Sequence, residues 1–293
     1  MQRTYLGVLC LYFWLAGLAA AQGPLLVKPD TDFHPFRSVS SLDDPFANQS
    51  SVPDAIPTAS SVPVSLVAPA VIPRMAPDLA LQVYRGRSVI QAAQLTSYSA
   101  TTLIRAQLPD TSQSGEYEVQ RFYSAPRTLA FKSLRFSGAT FVKTNVIVRL
   151  LQSEVDHLQK DDPALNAISP ANYKFSYKGL SLLQGHLVHV YQLKPHQKRA
   201  GLFKGRIYVD VYTGSLVRAE GKPVKSPSLF IKKIEFVQDY ADIGPFTFPV
   251  HIHSEATARI VGRAVVDIYQ RDYQPVANTT ANPAVSAQQI PAL

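Results

Sequence analysis

The chain has 293 residues, of which 46% are hydrophobic and 17% charged, enough apolar material for a core in one large domain or two small ones. Its net charge of +8 comes from scattered lysines and arginines with one dense group, so it gives no continuous basic face of the kind nucleic acid requires. The only cysteine is Cys10; once the N-terminal segment is removed, disulfides, Cys-ligated metals and thiol nucleophiles are excluded.

Met1–Ala21 has the three parts of a secretory signal: Arg3 as a short positive region, the apolar run Leu6–Leu18, and small residues Ala19, Ala20 and Ala21 at the cleavage positions. The run is short for a membrane span, which needs about 20 apolar residues. Cys10 lies inside it, not just behind it, and is poorly placed for lipidation. The expectation is an exported protein, cleaved near Ala21. Residues 22–77 form a different polymer, with prolines recurring from Pro24 to Pro77. Fixed φ and missing donors suit a disordered or polyproline tether. Val62, Val64, Leu66, Val67 and Val71 leave open a segment draped over the domain.

The folded domain is expected over 78–276, followed by a loose tail, 277–293. Leu79, Val83, Ile90 and Ala93 fall loosely at helical spacing. Ser97–Leu108, Gly115–Ser124 and Leu129–Phe136 read as strands. The clearest helix is Asn145–Gln159, where Ile147, Leu150, Leu151, Val155 and Leu158 make an apolar stripe and Arg149, Gln152, Glu154 and Asp156 a wet face. Thr144 could cap its start, and Asp161-Asp162-Pro163 ends it.

From Asn172 to Lys222 apolar and polar residues alternate in run after run. Lys178-Gly179, Gln184-Gly185, the loop Pro195–Gly201 and Thr213-Gly214 interrupt the runs as turns. Period-two alternation with short connections predicts an antiparallel meander. Ser228–Tyr240, Phe246–Ala256 and Arg263–Tyr273 add three more strands, for about nine in all. Phe246, Phe248, Val250 and Ile252 share one face; Thr247, Pro249, His251 and His253 take the other.

Chemistry-bearing patterns are sparse. His251 and His253 with Glu255 could begin a metal site, but they lie on the polar face, where histidine is ordinary, and no metal or cofactor is expected. His186 and His189 have opposite strand parity. Asp210, between tyrosines, reads as a turn-supporting carboxylate. No nucleophile elbow, zincin helix or phosphate loop occurs, so no catalytic residue is assigned. The dense basic group, Lys198 and Arg199 with Lys204 and Arg206, reads as a solvated hairpin loop, in preference to a site for anionic lipid heads or nucleic acid. Asn48-Gln49-Ser50 and Asn278-Thr279-Thr280 match the glycosylation sequon in the loose flanks. Oligomeric state is not legible.

A helix, three strands, a second helix and a long antiparallel run resemble the layout of periplasmic lipoprotein-sorting proteins of the LolA, LolB and RseB type. The likeness rests on the strand ending Leu193-Lys194-Pro195, then Gly205-Arg206-Ile207-Tyr208-Val209-Asp210, then Leu216-Val217-Arg218, and it spans about Leu79 to Val276. It implies an α+β fold: a strongly curved antiparallel sheet, an unclosed β-barrel, with helices covering its concave face. It also implies a non-enzymatic periplasmic protein that binds acyl chains, lipids or acylated proteins in an apolar hollow. The long Pro-rich extension departs from the carriers, and the lipobox cysteine of a membrane-anchored acceptor is missing. By parity, Val209, Val211, Phe246, Phe248, Val250, Ile252, Val266 and Ile268 would line the hollow. The alternative is a hollow filled by side chains, in an envelope interaction or stress-signalling protein of the RseB kind.

Overall fold

The computed structural model describes residues 73–225, 231–258 and 262–278. The signal-like segment, the Pro-rich run through residue 72 and the end of the tail lie outside the described residues.

Helix α1 (Pro77–Gln94) leads into strands β1 (Leu95–Leu108), β2 (Gln113–Ser124) and β3 (Thr128–Gly138). A helical connection follows, made of α2 (Thr140–Val142), a π-helical turn (Lys143–Ile147), α3 (Val148–Lys160) and α4 (Pro163–Asn166). The remaining strands are β4 (Tyr173–Leu183), β5 (His186–Pro195), β6 (Phe203–Asp210), β7 (Leu216–Pro223), β8 (Ile231–Ile243), β9 (Phe246–Ala258) and β10 (Gly262–Ala277). All ten belong to one sheet in the order β3-β2-β1-β10-β9-β8-β7-β6-β5-β4, each pair antiparallel.

The order explains the architecture. The strands β4 to β10 form an unbroken meander, and β1 pairs with β10, so the first three strands extend the sheet beyond its last one. Consecutive strands β3 and β4 are thereby sent to opposite edges. The connection between them must cross the sheet, and it carries α2, the π-helical turn and α3 over the apolar face. The sheet does not close, and the fold is α+β, a curved half-barrel with helices on its concave side.

Local chemistry sets the elements, with four departures from expectation. Lys178-Gly179 is not a turn: β4 runs through it, and the register shift between Tyr177 and Gly179 makes it a bulge, with Gly179 at φ 112°. Thr144 does not cap a helix, because helical backbone already begins at Thr140 and Thr144 lies within the π-helical turn. Helix α1 turns Ala80, Leu81 and Tyr84 inward, while Leu79 and Ile90 are exposed. Its weak apolar spacing had put the buried stripe one residue out of phase. On α3, Glu154 is not on the wet face, since its side chain is 9% exposed.

The apolar side chains gather in three clusters along the concave face. In the first, Val142, Val146, Ile147, Leu150 and Leu151 pack onto β1, β8, β9 and β10. In the second, Ala80, Leu81 and Tyr84 of α1 and Ile168 cover β4 to β8. The third joins Leu158 of α3 to Tyr98, Tyr123, Phe246, Phe248 and Tyr273. A smaller group, Val188, Val190, Tyr208 and Val217, lies on the opposite face, so that face is not wholly polar.

Candidate functional site

The eight residues expected to line one hollow are divided among the clusters. Ile252, Val266 and Ile268 lie together under the π-helical turn and α3. Phe246 and Phe248 lie with Tyr98 and Tyr273, where the rings of Phe248 and Tyr273 stack at 4.4 Å. Val209 belongs with α1. Val211 lies just past β6, fully buried, its N–H donating to Leu187 O and its carbonyl accepting from Met75 N. Val250 alone is half-buried. The pairing of β8 with β9 slips there, since Asp239 faces His251 but Tyr240 faces Pro249. One extra residue on β9 bends the strand and leaves Val250 without a partner on β8.

A polar clasp sits among these clusters. Arg121 on β2 points into the concave side, 2% exposed, and makes a bidentate pair with Glu154 of α3 at 2.5 and 2.8 Å. The guanidinium also lies 4.9 Å from the Phe131 ring centroid. Burial alone would lower the pKa of Arg121, but Glu154 and Tyr98 hold it above its ordinary value. Burial pushes the phenols of Tyr98 and Tyr273 up, so both stay neutral. Tyr273 OH lies 2.7 Å from Pro249 O and also contacts Gln270 Oε1. The sequence held half of this signal. Val119, Arg121 and Tyr123 share the inward parity of β2, which should have marked Arg121 as buried and in need of an acid. Its partner, 33 residues away on the helix, is not a local pattern.

The outer face is a ladder of charges. Asp267 accepts from His253 Nδ1 at 2.8 Å and from His251 Nε2 at 3.3 Å. Asp239 holds Arg218 at 2.5 Å and lies 3.6 Å from His251. Glu255 holds Arg263 at 2.9 Å. Among the described residues no group of three His, Cys, Asp or Glu side chains is arranged to hold a metal ion. An open groove of about 630 Å³ runs over β5 to β9 on this face, lined in part by Lys204, Arg206, Glu220, Lys222, Glu235 and His253. Two of its cations have acids near them: Arg206 lies 4.0 Å from Glu220, and Lys222 2.8 Å from Glu235. Of the basic group, Lys198, Lys204 and Arg206 are exposed. Arg199 is engaged instead, donating to Leu165 O and to Asn172 Oδ1.

Asp210 is the buried support of a turn. It accepts from Tyr212 N at 2.8 Å and Thr213 N at 2.9 Å, and His186 Nδ1 lies 3.2 Å away. Burial would raise its pKa, but these amides and His186 hold it below the usual carboxylate range. His189 is buried elsewhere: Nε2 donates to Met75 O at 3.0 Å and Nδ1 accepts from Tyr177 OH at 3.1 Å.

No family model matches the chain, and no curated protein does. Solved structures do. The chain is similar to an outer membrane lipoprotein-sorting protein domain from Vibrio parahaemolyticus, at 12% identity and TM-score 0.38, over 70% of this chain and 95% of that one. It is similar to a LolA superfamily protein from Nitrosomonas europaea, at 11% identity and TM-score 0.34, over 67% and 92%. A MucA/MucB complex from Pseudomonas aeruginosa matches at 10% identity and TM-score 0.24, over 68% and 100%. The resemblance read from the strand rhythm falls on this same group. At such overlap, function has to be read from the domain's own geometry.

Proposed function

We propose that this chain is an exported, non-enzymatic binding protein of the cell envelope that meets its partner on the surface of a filled half-barrel. One observation supports this above the rest. Seven of the eight side chains expected to line a hollow are 5% exposed or less, packed against the chain's own residues. Side chains packed this closely against one another leave little room between them for an acyl chain. Titrating the mature protein with a fluorescent fatty-acyl probe should give no saturable uptake. Stoichiometric uptake would overturn the reading. Export is tested separately: protein isolated from its native host should begin near Gln22, and a membrane-bound form beginning at Met1 would contradict it.

A second reading, binding of an acyl chain, lipid or lipoprotein beneath α3, is favoured by two features of the cover. The helix enters through a π-helical turn, an irregularity that recurs at functional sites. Ser254 Oγ and Gln270 Nε2, whose strands contribute to the concave clusters, are buried without a protein partner. On this reading α3 is a lid latched by Arg121–Glu154, and Glu154→Gln should increase probe uptake. Lys198, Lys204 and Arg206 would then be the side chains that touch anionic lipid heads.

A further inference from the structure

Strand β4 has a neighbour on one side only, and among the described residues its other edge, from Lys174 to Leu183, makes no backbone hydrogen bond. A long free edge is a template for another strand, and proteins normally blunt one with lysine, a bulge or a cover. Here the lysines and the bulge lie at 174 and 178, and Gly179–Leu183 beyond them is unprotected. Leu180 is 51% and Leu182 73% exposed, and Tyr177 is 45% exposed. They lie opposite His189, Leu187 and Tyr191 on β5, and directly opposed residues share a face, so all three are on the concave side with buried Tyr191. Lys174, one residue from inward Tyr173, points to the outer side.

We infer that β4 is the partner-binding edge, taking an extended peptide segment whose apolar residues face Tyr177, Leu180 and Leu182 and whose acidic residues face Lys174 and Lys178. The inference rests on the reading of this domain as a surface-binding protein and names the surface. Charge selects the occupant. Strand β4 carries Lys174 and Lys178 and no acid, and Lys194 and Lys198 lie exposed on and just beyond β5. A second copy of β4 paired along its whole length is centred on Lys178 and sets the two Lys178 side chains against each other, while registers centred on Leu180 or beyond, which separate the lysines, pair only about seven residues or fewer and bury too little for a stable dimer. A membrane is the wrong partner for this edge, because unpaired backbone N–H and C=O groups are costly in hydrocarbon. Strand addition satisfies those groups, and the alternate side chains supply the selection.

The test is fluorescence anisotropy with the mature protein and a labelled peptide of alternating valine and glutamate, long enough to span β4. Saturable binding is expected, weakened about tenfold or more by the double substitution Leu180→Glu, Leu182→Glu, with circular dichroism confirming that the variant is folded. Methylating alternate peptide nitrogens should weaken binding comparably, since it removes edge hydrogen bonds and leaves the charges. Equal affinity for an alternating valine–lysine peptide, or indifference to N-methylation, would overturn the inference. So would concentration-dependent dimerisation abolished by the same double substitution, or binding to anionic phosphatidylglycerol vesicles in place of the peptide. Absence of peptide binding in a protein that also refuses the acyl probe sinks the β4 assignment alone; uptake of the acyl probe sinks the broader reading.

Discussion

Arg121 and Glu154 show how much can hang on two side chains. With exposures of 2% and 9%, neither charge is solvated, so each depends on the other. Removing one partner leaves a buried unpaired charge, and Glu154→Gln should cost about 3–5 kcal/mol in urea unfolding. Replacing both, as Arg121→Leu with Glu154→Leu, should recover most of that, since apolar replacement of a buried pair is often near neutral. Asp210 carries the acid sensitivity. Its folded pKa lies below its unfolded one, so the stability it adds is complete above about pH 4 and is lost as pH falls through the folded value. Glu235, drawn down to about 2 by hydrogen bonds from Lys222 and Lys233, has the same sign. The thermal midpoint should therefore drop as pH is lowered from about 4 to about 2, and Asp210→Asn should flatten that drop while lowering the midpoint at neutral pH.

At the scale of elements, the helices and β9 make opposite demands on neighbouring positions. Leu81 faces the second cluster and Leu79 faces solvent, two residues apart on α1. Leu81→Ala should cost about 2–5 kcal/mol, and Leu79→Ala should stay within about 0.5 kcal/mol. On β9 the bulge separates Val250 from Ile252. Ile252→Asp would bury a carboxylate in the first cluster and should prevent cooperative folding, because such a group costs several kcal/mol or is forced to protonate. Val250→Asp, half-buried at a bend, should leave a folded protein. Chemical denaturation of the four variants checks both contrasts, and equal losses at Leu79 and Leu81 would show that the α1 face is wrongly placed.

For the whole molecule the question is where the fold begins. The chain is already engaged just ahead of and at the start of α1: Met75 N donates to Val211 O, Met75 O accepts from His189, and Pro77 O accepts from Tyr191. We propose that the folded domain begins at these residues, so that a chain starting at Pro73 melts within a few degrees of the mature protein. A chain starting at Asp78 leaves His189 and the Tyr191 hydroxyl without acceptors, at about 1–3 kcal/mol each, and should melt clearly lower. Scanning calorimetry of the two truncations decides it; equal midpoints would return the boundary to Asp78.

The alternation in FKGRIYVD, FTFPVHIH and their neighbours was enough to determine strands, faces and the antiparallel class. Period two is a property of the backbone and needs no knowledge of partners. The apolar stripe of α3 was legible for the same reason. Tertiary structure decided the rest. Only the pairing of β1 with β10 sends β3 and β4 to opposite edges, and alternation along a strand says nothing of which strands will flank it. Only the crossing of the connection over the sheet divides the expected lining residues among three clusters, because a side chain's parity fixes its direction and not what waits there. The Arg121–Glu154 pair lies in the same class: each residue is polar by sequence, and burial became tolerable only when the fold brought the two charges together.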